Sequence, residues 1–155
     1  MIQRIQTLYL AVASALSVFL LKGPIVRLVV GATESYELNY KGIYRIDGNI
    51  TTGLVERSLP LEIILIAVPV LFFIAIFLYK RRKLQIRLTV LTTLLQIGSF
   101  LLILFYIFYA GTKMDAELVF NIKLVFPLAG AILGYLAFRN ILKDELLIKS
   151  YDRIR

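Results

Sequence analysis

LEIILIAVPVLFFIAIFLYKRRKLQIRLTVLTTLLQIGSFLLILFYIFYA, residues 61–110, consists of two apolar runs separated by one basic cluster, Lys80 to Arg87. Each run is about twenty residues long, which at ~1.5 Å per residue covers the ~30 Å hydrocarbon core of a bilayer. The stretch therefore reads as a transmembrane hairpin. The cluster carries five positive charges and no acid. Short basic loops are retained on the cytoplasmic side, so the bend of the hairpin is expected there. The rest of the topology follows from that placement.

Working outward, Ile5 to Leu21 is an uncharged run behind Arg4. It reads as a retained first helix rather than a cleaved signal, because the cleavage-like Ala13-Ser14-Ala15 lies inside the apolar run and not after it. Lys22-Gly23-Pro24 ends that helix. A fourth apolar run, Leu118 to Phe138, follows an outer turn at 111–117 and brings the chain back to the cytoplasm. The expectation is one domain, an all-α membrane protein built as a four-helix bundle. Its helices fall at about 3–21, 61–79, 88–110 and 118–138. An outer loop spans 22–60, a cytoplasmic loop 80–87 and a charged helical tail 139–155. With this map the whole net charge of +8 lies on the cytoplasmic side and the outer side balances to zero.

The outer loop is the one sizeable polar segment. Tyr36, Leu38 and Tyr40 alternate with Glu37 and Asn39, and Ile43-Tyr44-Arg45-Ile46 follows a Lys41-Gly42 turn signal. This pattern predicts a small β-hairpin. Two strands are marginal alone, so the aromatic face must rest on the helices, on lipid or on a partner.

Composition excludes much chemistry. The chain is 59% hydrophobic, 155 residues long, and has no Cys, His or Trp. That removes disulfides, thiol nucleophiles, Cys or His metal sites and Ser-His relays. No acidic or basic residue sits near the centre of any span, which argues against proton-coupled carriers and voltage sensors. Glu62 and Lys123 lie about one turn inside the outer boundary and either snorkel or pair with each other. No cofactor, metal or specific nucleic acid is expected; the lipid bilayer and other integral membrane proteins are the expected partners.

Two packing faces stand out. Thr89, Thr92, Thr93, Gln96 and Ser99 recur at helical spacing in the third span and are expected to look inward, bonding across helices. In the fourth span Gly130 and Gly134 are four residues apart, with Pro127 and Ala137 extending a small-residue face for bundle contact or self-association. Thr7, Ala11 and Ser14 of the first span offer a matching surface.

The opening Met1-Ile2-Gln3-Arg4-Ile5-Gln6-Thr7-Leu8-Tyr9-Leu10, together with Lys143-Asp144-Glu145 and Asp152-Arg153-Ile154-Arg155, resembles the uncharacterised four-helix membrane proteins of Bacteroidetes grouped as domain-of-unknown-function family 4293. The resemblance implies a bacterial inner-membrane protein without an assigned activity. It nominates Gln3, Arg4, Gln6, Lys143, Asp144, Glu145, Asp152 and Arg153 as a cytoplasmic docking surface. The functional expectation is a non-enzymatic accessory or structural subunit of a larger membrane complex, protein translocation or insertion machinery being one candidate. A small oligomeric transporter or channel lined by the Thr89 to Ser99 face is the alternative. A further one is docking to lipid or ribosome through the basic cytoplasmic face.

Overall fold

The structure is a computed structural model that describes residues 3–30, 34–47, 50–114, 117–119 and 121–152. Four helices form the body: α1 (Gln3–Leu20), α2 (Leu59–Phe77), α3 (Arg82–Met114) and α4 (Phe126–Asp152). Between α1 and α2 run four strands, β1 (Val26–Val30), β2 (Glu34–Asn39), β3 (Gly42–Asp47) and β4 (Ile50–Arg57), and β5 (Glu117–Val119) follows α3. Helices adjacent in sequence pack side by side, and α4 closes the ring against α1. One end of the bundle carries the start of α3 and the tail of α4, and is basic; the other end carries the sheet.

Three segments are long and apolar enough to cross a bilayer by length and composition: Leu59–Lys80, Arg82–Lys113 and Ile122–Leu147. This suggests a multi-pass membrane protein. The apolar part of α1, Ile5–Leu20, is shorter. Even so, its outward residues Ile5, Leu8, Val12 and Phe19 are as apolar and as exposed as Val70 and Phe73 on α2 or Leu101 and Phe105 on α3. An apolar belt this extensive is not found on a water-soluble surface.

The basic cluster is not a loop of eight residues. A 3-10 turn at Leu78–Lys80 and the single residue Arg81 reverse the chain, and α3 starts at Arg82. Lys, Arg, Leu and Gln are good helix formers, so charges that mark topology also extend the helix. At 33 residues α3 is about 50 Å long, well beyond the 88–110 span expected. The fourth span also starts later than residue 118. Glu117–Val119 joins the sheet, Ile122–Val125 makes a 3-10 turn, and α4 runs unbroken from Phe126 into the tail. Of the expected outer turn, Asp115 and Ala116 lie outside the described residues.

The expected hairpin is larger than two strands. The sheet has the order β4-β3-β2-β1-β5 and every pair is antiparallel. The Tyr36-to-Ile46 pattern accounts for β2 and β3 only. The strand Val26–Val30 alternates only over Val26-Arg27-Leu28, too short a run to mark it, and β5 is too short to signal itself. Buried Val26, Leu28, Leu38 and Ile43 meet Leu61, Leu65, Ile103 and Ile107 of α2 and α3, with Tyr36 and Tyr40 packed beside them. The aromatic face therefore rests on the helices. Across β1 and β2, Arg27 Nε donates to Glu37 Oε1 at 2.9 Å, joining two residues directly opposite in register.

Two glycines set the chain direction. Gly23, at φ +71°, turns the chain out of α1 just before Pro24. Gly42 has φ +145°, and a Cβ there would lie 2.1 Å from the Glu56 carbonyl oxygen of β4. The start of α2 depends on the same corner, because the Ser58 N–H donates to the Lys41 carbonyl. Gly42→Ala is expected to destabilise the sheet end by ~1–3 kcal/mol. The readout is a lower melting temperature in detergent with faster proteolysis between residues 42 and 57.

Candidate functional site

The surface of this bundle is largely apolar, and one face of α3 carries polar groups into an otherwise apolar interior. Gln85, Thr89, Thr92, Gln96 and Ser99 of α3 are buried, spaced three or four residues apart on one helix face. Thr93, beside them, is half-buried. The hydroxyls do not bond across helices as expected. Thr92 donates to the Leu88 carbonyl, Thr93 to that of Thr89 and Ser99 to that of Gln96, all within α3. This satisfies each hydroxyl locally, as Ser and Thr do in helices without polar neighbours. What crosses the bundle is the amide. Ser17 Oγ of α1, whose hydroxyl also reaches the Ala13 carbonyl of its own helix at 2.8 Å, lies 3.1 Å from Gln96 Oε1 and links two helices that are diagonal in the ring. Gln96 Nε2 and Thr89 Oγ1 are buried without a partner among the described residues.

The same face receives the glycines of α4. A Cβ on Gly130 would meet Gln96 Nε2 at 3.0 Å, and one on Gly134 would meet Thr93 Oγ1 at 2.4 Å and the Phe72 ring at 3.2 Å. Gly130 and Gly134 are therefore contact points with α3 and α2, within the bundle. Pro127, Ala131 and Ala137 are buried on α4 as well. Thr7 and Ala11 of α1 are exposed, whereas Ser14 Oγ donates to the Pro69 carbonyl of α2 at 3.0 Å. The polar face of α3, not that of α1, is what the glycines meet.

At the basic end four helices contribute to one polar cluster. Gln6 Nε2 of α1 donates to Asp144 Oδ2 of α4 at 2.5 Å, and the two residues are only 5% and 8% exposed. Arg82 of α3 brings Nη1 to 3.9 Å from the same carboxylate oxygen. That is an ion-pair approach too long for a hydrogen bond. Gln85 Nε2 donates to the Ala75 carbonyl at 3.0 Å, satisfying one of the last carbonyls of α2, which lack helical partners. Gln6, Arg82 and Gln85 line a cleft of about 420 Å³ together with Ile76, Phe77 and Ile141. A second depression beside it is lined by Lys80, Arg81, Arg82, Lys83 and Glu145.

Of the residues nominated for docking, Gln6 and Asp144 come together, but in the bundle and not on its surface. Lys143 is exposed, and Glu145 is half-buried beside the basic turn. The side chains of Gln3, Arg4 and Asp152, and the whole of Arg153, lie outside the described residues. Arg82 and Gln85 were missed because 80–87 reads as a loop. Extending the Thr89 spacing back by four residues reaches Gln85 and is the signal that finds it. Glu62 and Lys123 do not pair: Glu62 takes Arg57 at 2.9 Å, and Lys123 Nζ donates to the Lys22 carbonyl.

Residues 2–154 match the family described as domain of unknown function DUF4293. The chain belongs to this family. No curated protein matches it. In this DUF4293 chain no three acidic side chains converge among the described residues. Its polar groups instead line the helix contacts and the cleft at the basic end.

The contact of Gly134 with Thr93 is open to a double-mutant cycle. Gly134→Ala is expected to cost ~1–3 kcal/mol by overpacking. Adding Thr93→Ala, which removes the clashing hydroxyl, should recover most of that loss. Thermal melts of the purified protein in one detergent check both values.

Proposed function

We propose that this DUF4293 protein is a non-enzymatic subunit of a larger bacterial inner-membrane assembly, with both termini in the cytoplasm. The observation that carries this reading is the state of the α4 tail. Beyond Arg139, Ile141 and Asp144 anchor one face of the helix to the bundle. Leu142, Leu146 and Leu147 stay exposed on the other, at a height where basic residues crowd the neighbouring turn. Exposed leucines interspersed with Lys143 and Glu145 at the charged end of the Ile122–Leu147 segment fit a surface that another chain occupies. Protein translocation or insertion machinery is a candidate assembly by analogy alone.

The orientation rests on charge. Lys80, Arg81, Arg82, Lys83 and Arg87 gather at one end. At the sheet end the charges are tied in pairs, Arg27 with Glu37, Arg57 with Glu62 and Lys113 with Glu56. The end with the greater concentration of Lys and Arg belongs in the cytoplasm.

A small oligomeric transporter or channel is the second reading, favoured by the unpartnered Gln96 Nε2 and Thr89 Oγ1 on the inward face of α3. Under that reading Gln96→Leu abolishes flux. Under the subunit reading it leaves assembly intact.

Because the chain has no cysteine, single cysteines report orientation directly. Lys41→Cys should react with an impermeant maleimide added to spheroplasts, and Lys83→Cys only after permeabilisation. For the assembly, purification in mild detergent with mass spectrometry should recover a second chain. The double substitution Leu146→Glu and Leu147→Glu should release it while the protein stays in the membrane. Recovery of the wild-type chain alone at its monomer mass would refute the proposal.

A further inference from the structure

The cleft at the basic end has a composition that the subunit reading does not use. Its lining is part polar, with Arg82, Gln6 and Gln85, and part apolar, with Ile76, Phe77 and Ile141. Its volume of about 420 Å³ lies within the range of small-molecule sites. Arg82 is held partly inside, its side chain 23% exposed, and its approach to Asp144 at 3.9 Å leaves its donors without a close carboxylate there. Asp144 is tied to Gln6 and does not itself line the cleft. Lys80, Arg81 and Lys83 line the neighbouring depression that shares Arg82, and add positive potential.

The depth of the cleft matters as much as its charge. Phe77 and Tyr79 line it and are exposed to the bundle exterior, with Lys80 Nζ 6.0 Å from the Tyr79 ring centre. An exposed Phe, then a Tyr, then a run of Lys and Arg is the order met when passing from hydrocarbon to headgroups. A ligand here has its charged part in the headgroup layer and its apolar part against Phe77 and Ile76.

We infer that the cleft between Gln6, Phe77, Arg82 and Gln85 binds the phosphate headgroup of an anionic phospholipid, with Arg82 as the phosphate ligand. Guanidinium donors match phosphate oxygens in pairs, and basic pockets between membrane helices are suited to lipid headgroups. Gln85 and Gln6, both held by bonds to neighbouring helices, shape the polar wall. A bound lipid would bridge α1, α2 and α3 at the end where Gln85 ties α3 to α2. The inference rests on the membrane reading of the helices but not on the presence of a partner chain.

The test is native mass spectrometry of the full chain released from mild detergent supplied with equal amounts of phosphatidylglycerol and phosphatidylcholine. The wild type should retain phosphatidylglycerol in preference. Arg82→Gln should lower that retention by about fivefold or more, the equivalent of ~1 kcal/mol for one basic contact. Arg87→Gln, an exposed basic residue of α3 that lines neither depression, should change it little. Asp144→Asn keeps the acceptor for Gln6 but removes the carboxylate charge behind Arg82, and should raise it. Ile76→Trp fills the cleft without touching charge and should lower it, a second route if Arg82→Gln proves unstable in thermal melts. Equal retention of the two lipids would overturn the inference. So would equal losses from Arg82→Gln and Arg87→Gln, the mark of diffuse attraction, or displacement of the lipid by millimolar inorganic phosphate, the mark of a free-anion site. Release of a partner chain by the leucine substitutions in the tail is read separately, so either proposal can fail without the other.

Discussion

Everything in this bundle depends on how closely the backbone of α4 can approach α3. Gly130 and Gly134 face Gln96 and Thr93 at distances that leave no room for a methyl group at Gly134 and little at Gly130. In lipid the hydrophobic effect does not drive helices together, since acyl chains are as apolar as leucine. Close backbone contact and interior polar groups have to do so. The buried Thr, Ser and Gln residues on α3 supply those groups, and the link from Ser17 to Gln96 spans the diagonal of the ring. An apolar exterior with a polar seam inside is one solution to two requirements: a surface compatible with hydrocarbon, and an interior that specifies which faces meet.

The sheet closes one end of this ring. Its buried Val26, Leu28, Leu38 and Ile43 form one cluster with Leu20, Leu61, Ile103 and Ile107, so α1, α2 and α3 share a core with the strands. α1 is short, and the sheet residues extend the packing beyond its end. The Lys123 bond to the Lys22 carbonyl and the Asn121 contact with Pro24 tie the start of α4 to the same corner. The strands brace the helices as much as they decorate them. Pairing Arg27, Arg57 and Lys113 with Glu37, Glu62 and Glu56 leaves that end with little unbalanced charge.

The other end is built differently. Positive charge is concentrated there, and Asp144 is drawn inward to Gln6 and Arg82. A polar cluster at that height joins the ends of α1 and α4 to the start of α3. Exposed leucines continue outward along α4, so this is where the molecule has both charge and apolar surface left uncovered. An end so equipped is the natural place for recognition, whether of lipid headgroups or of another chain.

By itself the sequence determined the helical content, the apolar runs at 61–79 and 88–110, the inward face from Thr89 to Ser99 and the family. These are properties of short windows: length, periodicity, composition and terminal motifs. Only the tertiary structure decided that Lys80 to Arg87 is mostly helix, that five strands pair where two were legible, and that Asp144 is buried against Gln6. For the strands and for Asp144 the physical reason is the same. Strand pairing, the burial of a charged residue and the meeting of Gly134 with Thr93 are contacts between residues far apart in sequence, and no local pattern encodes the partner.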